Sequence, residues 1–260
     1  MNFAIIVAGG RGTRMGSDTP KQFMNIGGHP MLYYSLKAFE ESAVDAVVVV
    51  TGQGEDDDSR KAYETTMKII ADGGFKKVIR VVCGGEQRYD SCYAGIVALP
   101  AGLNDIVLIH DAARPCVTPD LINLMINAGE EYSAAVPVTK VKDTIICIDQ
   151  SAGTSTADAQ PASDQTANAP ARGTSASAAY TPIDRSTLRA VQTPQAFQYG
   201  LVRNAYDVLR LMEDKSWITD DAMVVSRMLH ADIKLVDGDE NNIKVTTPED
   251  LKKITLDSDN

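Results

Sequence analysis

The chain has 260 residues, 44% hydrophobic and 23% charged, with a formal net charge of −10. That length admits one large α/β domain or two small ones, and no apolar run approaches the roughly 18 residues of a membrane span. The acidic balance argues against general nucleic-acid binding, which wants a basic face, but it leaves room for a local basic pocket around a small anion, because charges act over roughly 8–10 Å.

The first apolar run, residues 3–7, reads as a core strand, with no basic segment before it of the kind that opens a secretory signal. It leads into Ala8-Gly9-Gly10-Arg11-Gly12-Thr13-Arg14-Met15-Gly16, and Pro20-Lys21-Gln22 follows. Glycine after a strand takes positive φ and lets the backbone approach a ligand closely. Successive N–H groups in such a turn form an anion-binding concavity. Two arginines and a lysine within eleven residues add positive charge, so the segment predicts a nucleoside triphosphate site. It is not a P-loop, which needs a Gly-Lys pair. Nor is it the dinucleotide fingerprint, whose third glycine would fall at Met15.

A helix is expected over residues 31–41 and a buried strand over 46–51, where four valines run together. A helix over 59–71 follows acidic residues that suit its macrodipole. The strand at 78–83 ends in Gly84-Gly85, a helix covers 91–99, and the strand at 106–110 ends at Asp111. Thr118-Pro119-Asp120 starts another helix, with threonine as N-cap and proline at the first helical position. Strands at 134–138 and 144–148 follow. This alternation implies βαβ units and a doubly wound sheet. Ligands bind at the carboxyl ends of strands in such sheets. The glycine-rich turn, Gly84-Gly85 and His110-Asp111 all fall on that edge, so three separate segments are expected to converge on one crevice.

Residues 150–179 are dominated by Ala, Ser, Thr, Gly, Asp and Gln, with no aromatic or large aliphatic side chain. Such a stretch cannot offset its ordering entropy by apolar burial. It is expected to be a disordered loop inserted within one domain spanning 1–260. Helices are expected over 201–213 and 220–229 and a strand over 233–236. Asn242-Ile243-Lys244-Val245-Thr246 carries a strand-like alternation, and a last helix is capped near Thr247-Pro248-Glu249-Asp250. Cys83, Cys92, Cys116 and Cys147 lie far apart without a C-x-x-C spacing, which argues against zinc or a disulfide framework and for a reducing, cytoplasmic setting. Cys83 and Cys147, in apolar runs, are expected in the core, and Cys116 is expected to be a small buried thiol.

The motifs come in a recognisable order. Ala8 to Met15 with Pro20-Lys21-Gln22 is followed by Gly84-Gly85-x-x-Arg88-x-x-Ser91 and His110-Asp111-Ala112-Ala113-Arg114-Pro115. Asp143-Thr144, Asp184-Arg185, Gln192-Thr193-Pro194-Gln195, Thr219-Asp220-Asp221-Ala222 and Asn242-Ile243-Lys244-Val245-Thr246-Thr247-Pro248 complete it. This series resembles the 2-C-methyl-D-erythritol 4-phosphate cytidylyltransferases along nearly the whole chain. A near relative, ribitol-5-phosphate cytidylyltransferase, shares most of it. The resemblance implies a Rossmann-like, mostly parallel α/β sheet of the nucleotide-diphospho-sugar transferase type. It also implies a protruding β-arm, about 139–190, that builds a homodimer. The implied reaction joins CTP and 2-C-methyl-D-erythritol 4-phosphate with Mg²⁺, giving 4-diphosphocytidyl-2-C-methyl-D-erythritol and pyrophosphate.

By the same resemblance, Arg14 and Lys21 stabilise charge on the reacting phosphates, and the backbone of Ala8, Gly9, Gly10, Arg11, Gly12 and Thr13 cradles the triphosphate. Gly84, Gly85, Arg88 and Ser91 line the cytidine pocket, while Asp111 and Ala112 border the nucleotide and Asp111 holds the metal. Arg114, Thr144, Arg185, Thr193 and Lys244 receive the sugar phosphate, with Arg185 and Lys244 orienting it. The arm carrying Thr144 and Arg185 reaches the partner's active site. Two departures pull in opposite directions. Val7-Ala8-Gly9-Gly10 stands where isoprenoid enzymes often have Pro-Ala-Ala-Gly, whereas Ala113 occupies a position that tends to be bulkier in the ribitol enzymes.

Taken one at a time, these residues have plainer readings: Lys21, Arg185 and Lys244 as solvated charges, Asp111 as a cap, His110 as a satisfied core histidine. The acids of Thr219-Asp220-Asp221 read as an N-cap. Other classes remain open at this point: a sugar-1-phosphate nucleotidyltransferase using another NTP, a non-catalytic nucleotide-binding protein, or a dinucleotide oxidoreductase.

Overall fold

Apolar runs bracketed by turn residues become strands, and amphipathic runs become the helices that cover them. The computed structural model describes residues 1–10, 19–52, 56–148 and 180–254. Arg11, Gly12, Thr13 and Arg14, and the low-complexity segment 150–179, lie outside the described residues. The elements run β1 (Asn2–Ala8), β2 (Asn25–Ile26), β3 (His29–Pro30), α1 (Met31–Glu41), β4 (Ala46–Thr51), α2 (Asp57–Gly73), β5 (Val78–Cys83), α3 (Arg88–Ala98) and β6 (Ile106–Asp111). Then come α4 (Pro119–Tyr132), β7 (Ala134–Lys140), β8 (Ile146–Ile148), β9 (Tyr180–Pro182), β10 (Arg189–Val191), β11 (Gln195–Gln198), α5 (Tyr199–Leu209), α6 (Asp221–Leu229), β12 (Lys234–Asp237) and α7 (Pro248–Leu251).

The contacts divide the chain into two units, Met1–Thr139 with Val191–Asn260, and Lys140–Ala190. In the first, the sheet runs in the order β7-β11-β6-β1-β4-β5, with β12 beside β7. β1 lies between β4 and β6, parallel to both, with Ile5 opposite Val48 on one side and Ile109 on the other. β4–β5 and β7–β12 are also parallel, so the mostly parallel, doubly wound sheet implied by the alternating elements is what forms. β11 runs antiparallel to both β6 and β7.

Side chains alternate across a strand, and β1 shows what that achieves. Phe3 and Ile5 pack with Ile96 of α3 and with Val202 and Tyr206 of α5. Ala4 and Ile6 pack on the other face with Leu32 and Leu36 of α1 and with Ile122 and Met125 of α4. Burial on both faces accounts for the unbroken apolar reading of β1, β4 and β6. Capping sets the helix ends: Asp56 accepts from Ser59 N at 2.7 Å at the start of α2, and Thr118 accepts from Leu121 N at 3.2 Å before Pro119 in α4. Gly74, with φ 64°, ends α2 in a left-handed turn that glycine takes without strain.

Several sequence expectations need correction. β11 reads weakly because only Ala196 and Phe197 are apolar; it is ordered by its neighbours β6 and β7 rather than by its own pattern. Residues 241–246 form no strand. That segment is pinned to the β6 end instead, by the Val245 N–H on the Ala113 carbonyl at 2.8 Å. Cys83 and Cys147 are exposed rather than in the core, and Cys116 is half-buried. β5 is the sheet's edge strand, and Cys147 lies on a two-stranded hairpin.

The second unit, taken by itself, holds β8 paired antiparallel with β9, Ile146 opposite Pro182 and Cys147 opposite Thr181. A 3-10 turn, Arg185–Thr187, follows, capped by the Asp184 carboxylate on Ser186 N. Among the described residues, no helix is long and apolar enough to cross a membrane.

Candidate active site

The carboxyl ends of β1, β4 and β5 bring three glycine segments side by side. The Gly84 N–H donates to the Thr51 carbonyl at 3.2 Å, and the Gly85 N–H donates to Ser91 Oγ at 3.2 Å. A Cβ on Gly9 would stand 2.9 Å from the Gly52 carbonyl oxygen, so only glycine permits this approach of β1 to β4. A Cβ on Gly10, by contrast, would have nothing within 4 Å among the described residues. Among the described residues the rim is therefore backbone, close-packed behind and open in front.

Asp111 ends β6 and is almost fully buried. Its Oδ1 accepts from Arg88 Nε at 2.9 Å and its Oδ2 from Lys244 Nζ at 2.6 Å. Burial by itself would raise the carboxyl, but the two cations outweigh it and hold Asp111 well below the usual carboxylate range. Arg88, at the start of α3, turns its other edge to Asp221, with Nη1 and Nη2 at 3.0 and 2.8 Å from the two carboxylate oxygens. Burial would depress Arg88, yet Asp111 and Asp221 keep it well above its ordinary value. Lys21, in a 3-10 turn after Pro20, donates Nζ to the Val245 carbonyl at 3.2 Å.

Behind this row lies a polar shelf. The Asp111 N–H donates to Thr193 Oγ1 at 3.1 Å, and the same hydroxyl lies 3.1 Å from His110 Nδ1. Asn242 donates Nδ2 to the Thr193 carbonyl at 2.8 Å, and Arg114 Nη1 donates to the Asn242 carbonyl at 2.7 Å. Arg114 is buried, its Nε has no hydrogen-bond partner, and it pairs with no carboxylate among the described residues. Burial lowers its pKa.

Burial likewise lowers His110 to about 3, so the ring is neutral, as expected for a satisfied core histidine. The unfolded chain binds this proton below its ordinary value of about 6.5, whereas the folded chain resists it. Stability is therefore expected to fall as pH drops from about 6.5 toward about 3. The contribution of His110 approaches one proton, about 1.4 kcal/mol per pH unit. Urea unfolding between pH 7 and pH 5 should show a shallower pH slope in His110→Gln than in the wild type; equal slopes would remove His110 as the cause.

The structure gathers many of the residues expected at the site. Ala8, Gly9, Gly10, Lys21, Arg88, Ser91, Asp111, Ala112 and Lys244 line one cleft of about 160 Å³. Gly84 stands against Ser91 and Gly52 on its rim. Arg114 and Thr193 are buried in the shelf rather than lining the cleft. Thr144 and Arg185 belong to the second unit and are exposed there; Arg185 Nη1 donates to the Lys142 carbonyl at 2.9 Å.

Asp221 corrects the N-cap reading. Asp220 does cap α6, accepting from Met223 N at 2.8 Å, but Asp221 is fully buried against Arg88 and Tyr206. Asn242 and Gln192, quoted in the motifs without a role, belong to the shelf; Gln192 bridges Asp239 through both ends of its amide. The available signal was the doubled acid, since one N-cap needs only one. Among the described residues, no three His, Cys, Asp or Glu gather to hold a metal, and Asp111 is the one carboxylate lining the cleft.

Comparison with known proteins agrees with this geometry. The family model of 2-C-methyl-D-erythritol 4-phosphate cytidylyltransferase matches residues 2–172 and 159–256. A protein of that name from Lachnospira eligens is 38% identical over 253 residues, covering 97% of this chain and 96% of its own length. One from Lachnoclostridium phytofermentans is 38% identical over 248 residues, covering 95% and 92%. The crystal structure of 4-diphosphocytidyl-2C-methyl-D-erythritol synthase from Anaerococcus prevotii superposes with a TM-score of 0.72 at 27% identity, over 96% of this chain and 92% of that one. The cytidylyltransferase from Thermus thermophilus gives 0.65 at 27% identity, over 95% and 94%. A glycine cradle beside a row of paired charges on one sheet edge, in a chain matched from end to end, makes this protein a member of the 2-C-methyl-D-erythritol 4-phosphate cytidylyltransferase family.

Proposed function

We propose that the chain joins CTP to 2-C-methyl-D-erythritol 4-phosphate, releasing pyrophosphate, as a nucleotidyltransferase of isoprenoid precursor synthesis. The observation that carries this reading is the single cleft in which Lys21, Arg88, Asp111 and Lys244 meet the Gly9-Gly10 backbone. In the reaction an oxygen of the acceptor's phosphate attacks the α-phosphorus of CTP, and the bond from that phosphorus to the bridging oxygen of pyrophosphate breaks. A phosphate monoester is largely dianionic above about pH 6, so no general base is required. The task is to hold two polyanions together and neutralise the charge that develops.

The backbone N–H groups of the glycine cradle suit the triphosphate, with Ser91, Gly84 and Gly85 toward the cytidine. Lys21, and with it Arg14, would stabilise the α-phosphate and the leaving pyrophosphate. Lys244 would receive the acceptor on the other side, with Arg114 and Thr193 behind it in the shelf. Arg114 fits an anion for a physical reason: it is a buried cation with an unpartnered Nε and no carboxylate bonded to it among the described residues, so a phosphate would add countercharge to that of nearby Asp111. The donor set also fits Mg²⁺, which takes one or two carboxylates and completes its shell with substrate phosphates and water. Asp111 is that carboxylate. When bound, the ion would neutralise charge on the triphosphate.

Thr144 and Arg185 would complete the site from the arm of a second copy in a cytoplasmic homodimer. Arg185 suits the role because its planar fork grips phosphate oxygens in pairs. The test is release of pyrophosphate from CTP. It should require methylerythritol phosphate and Mg²⁺, and stop with chelator. Turnover with ribitol 5-phosphate in its place would reassign the acceptor, and no turnover with either would overturn the reading. Light scattering with Arg185→Ala checks the dimer separately, since this surface contact is expected to leave the mass unchanged while activity falls.

A further inference from the structure

We propose that Asp221 is a positioning residue for this reaction, acting on Asp111 through Arg88. The inference rests on the functional reading above and adds a residue that touches neither substrate.

Asp221 sits at the first position of α6, fully buried, and its carboxylate faces the Arg88 guanidinium end-on through two hydrogen bonds. The Tyr206 hydroxyl donates to the same carboxylate from α5. A guanidinium held through both terminal nitrogens cannot rotate about its own axis, so its Nε–H has one direction left, and that direction meets Asp111 Oδ1. The result is an alternating row, Asp221, Arg88, Asp111, Lys244, in which each charge has an opposite neighbour.

The two ends of the row differ. The Asp221 carboxylate is wholly buried, whereas the Lys244 side chain is 40% exposed on a flexible stem. Arg88 therefore anchors Oδ1 permanently, and Lys244 is the partner that can exchange when phosphates enter. A carboxylate gripped on one oxygen and released on the other points Oδ2 at the cleft in a fixed orientation. Without Asp221, Arg88 could swing its terminal nitrogens onto Asp111 and cover both oxygens. The site would then keep its charge but lose its direction.

The expected result is kinetic. Asp221→Asn retains the shape of the side chain and should lower kcat about tenfold or more while changing KM for CTP less than about threefold. In an Arg88→Met background the same substitution should cost almost nothing further, because a residue that works through Arg88 has nothing left to act on. A purely structural role would lower the folded fraction and the melting temperature while leaving kcat per folded enzyme unchanged, so melting is measured on the same preparations. If Asp221→Asn does not fold, Tyr206→Phe loosens the same carboxylate without changing its charge and serves in the same cycle. Expected there is about a twofold to threefold loss of kcat, vanishing when Arg88 is Met. Wild-type kcat in the variant, or additive losses in both cycles, would overturn the proposal while leaving the cytidylyltransferase reading intact. Failure of the wild type to turn over CTP with methylerythritol phosphate would instead remove that reading and this inference together.

Discussion

Asp111→Asn is expected to lower kcat about 10²- to 10³-fold, the scale seen when a preorganised electrostatic contact is removed from a reacting centre. Asparagine fits the space but carries no charge. Arg88 and Lys244 would then face each other across a neutral amide, and the cleft would lose its one carboxylate for a cation. Stability should fall as well. Removing one member of a buried ion pair costs about 3–5 kcal/mol, and the Lys244 side contributes little of that because its ammonium is partly solvated. Calorimetric melting and turnover measured on the same preparation separate the two effects: a folded variant with wild-type kcat would remove Asp111 from the chemistry.

The pH dependence has a defined sign. Asp111's pKa is lower in the folded chain than in the unfolded one, so its stabilisation is fully present above about pH 4 and is lost only as the solution becomes strongly acidic. Any acid limb in activity between pH 5 and 7 therefore belongs to a group other than Asp111. The acceptor's phosphate, with a second pKa of about 6, is the natural source.

Lys21→Ala is expected to cost about 10²- to 10³-fold in kcat, or about 3–4 kcal/mol of transition-state stabilisation. Lys21 enters the cleft from a tight turn whose next residue, Gln22, is buried, so its backbone is fixed. Its ammonium reaches the carbonyl of Val245, the residue after Lys244, which joins two cationic segments separated by more than two hundred positions. The loss should appear mainly in kcat, with CTP affinity measured by calorimetry changing less, because charge on the leaving pyrophosphate builds only as the reaction proceeds. Lys21→Arg should recover part of the rate, since it keeps the charge but changes the donor geometry. Equal turnover of the alanine variant and the wild type would end the assignment.

Much of this molecule could be read from the chain directly. β1, β4 and β6 are buried on both faces, and that burial leaves an unbroken apolar signature. The carboxyl ends of β1 and β6 are marked by Gly9-Gly10 and Asp111, because a turn there needs glycine or a polar residue. Thr118 with Pro119 announced α4, since the N-cap bond and the proline geometry are local. Where the sequence misled, the cause was non-local. β11 has little apolar pattern of its own and is held by partners on both sides. Cys83 lies in an apolar run, but its strand turned out to be an edge. Lys244 lies on an extended segment with no ladder, held by bonds to residues far away in the chain: Ala113, Arg114, Thr193 and Lys21.

Local chemistry in the chain thus determined the strands, the caps, the glycine cradle and the types of charge that a nucleotide and a sugar phosphate require. Only the tertiary structure decided which charges pair. Asp221 and Arg88 are 133 positions apart, and so are Lys244 and Asp111. Their partnership depends on how α6 and the 241–246 segment are laid against the sheet edge. An ion pair acts over a few ångströms of space, whatever the separation along the chain, so no local pattern in this sequence reports it.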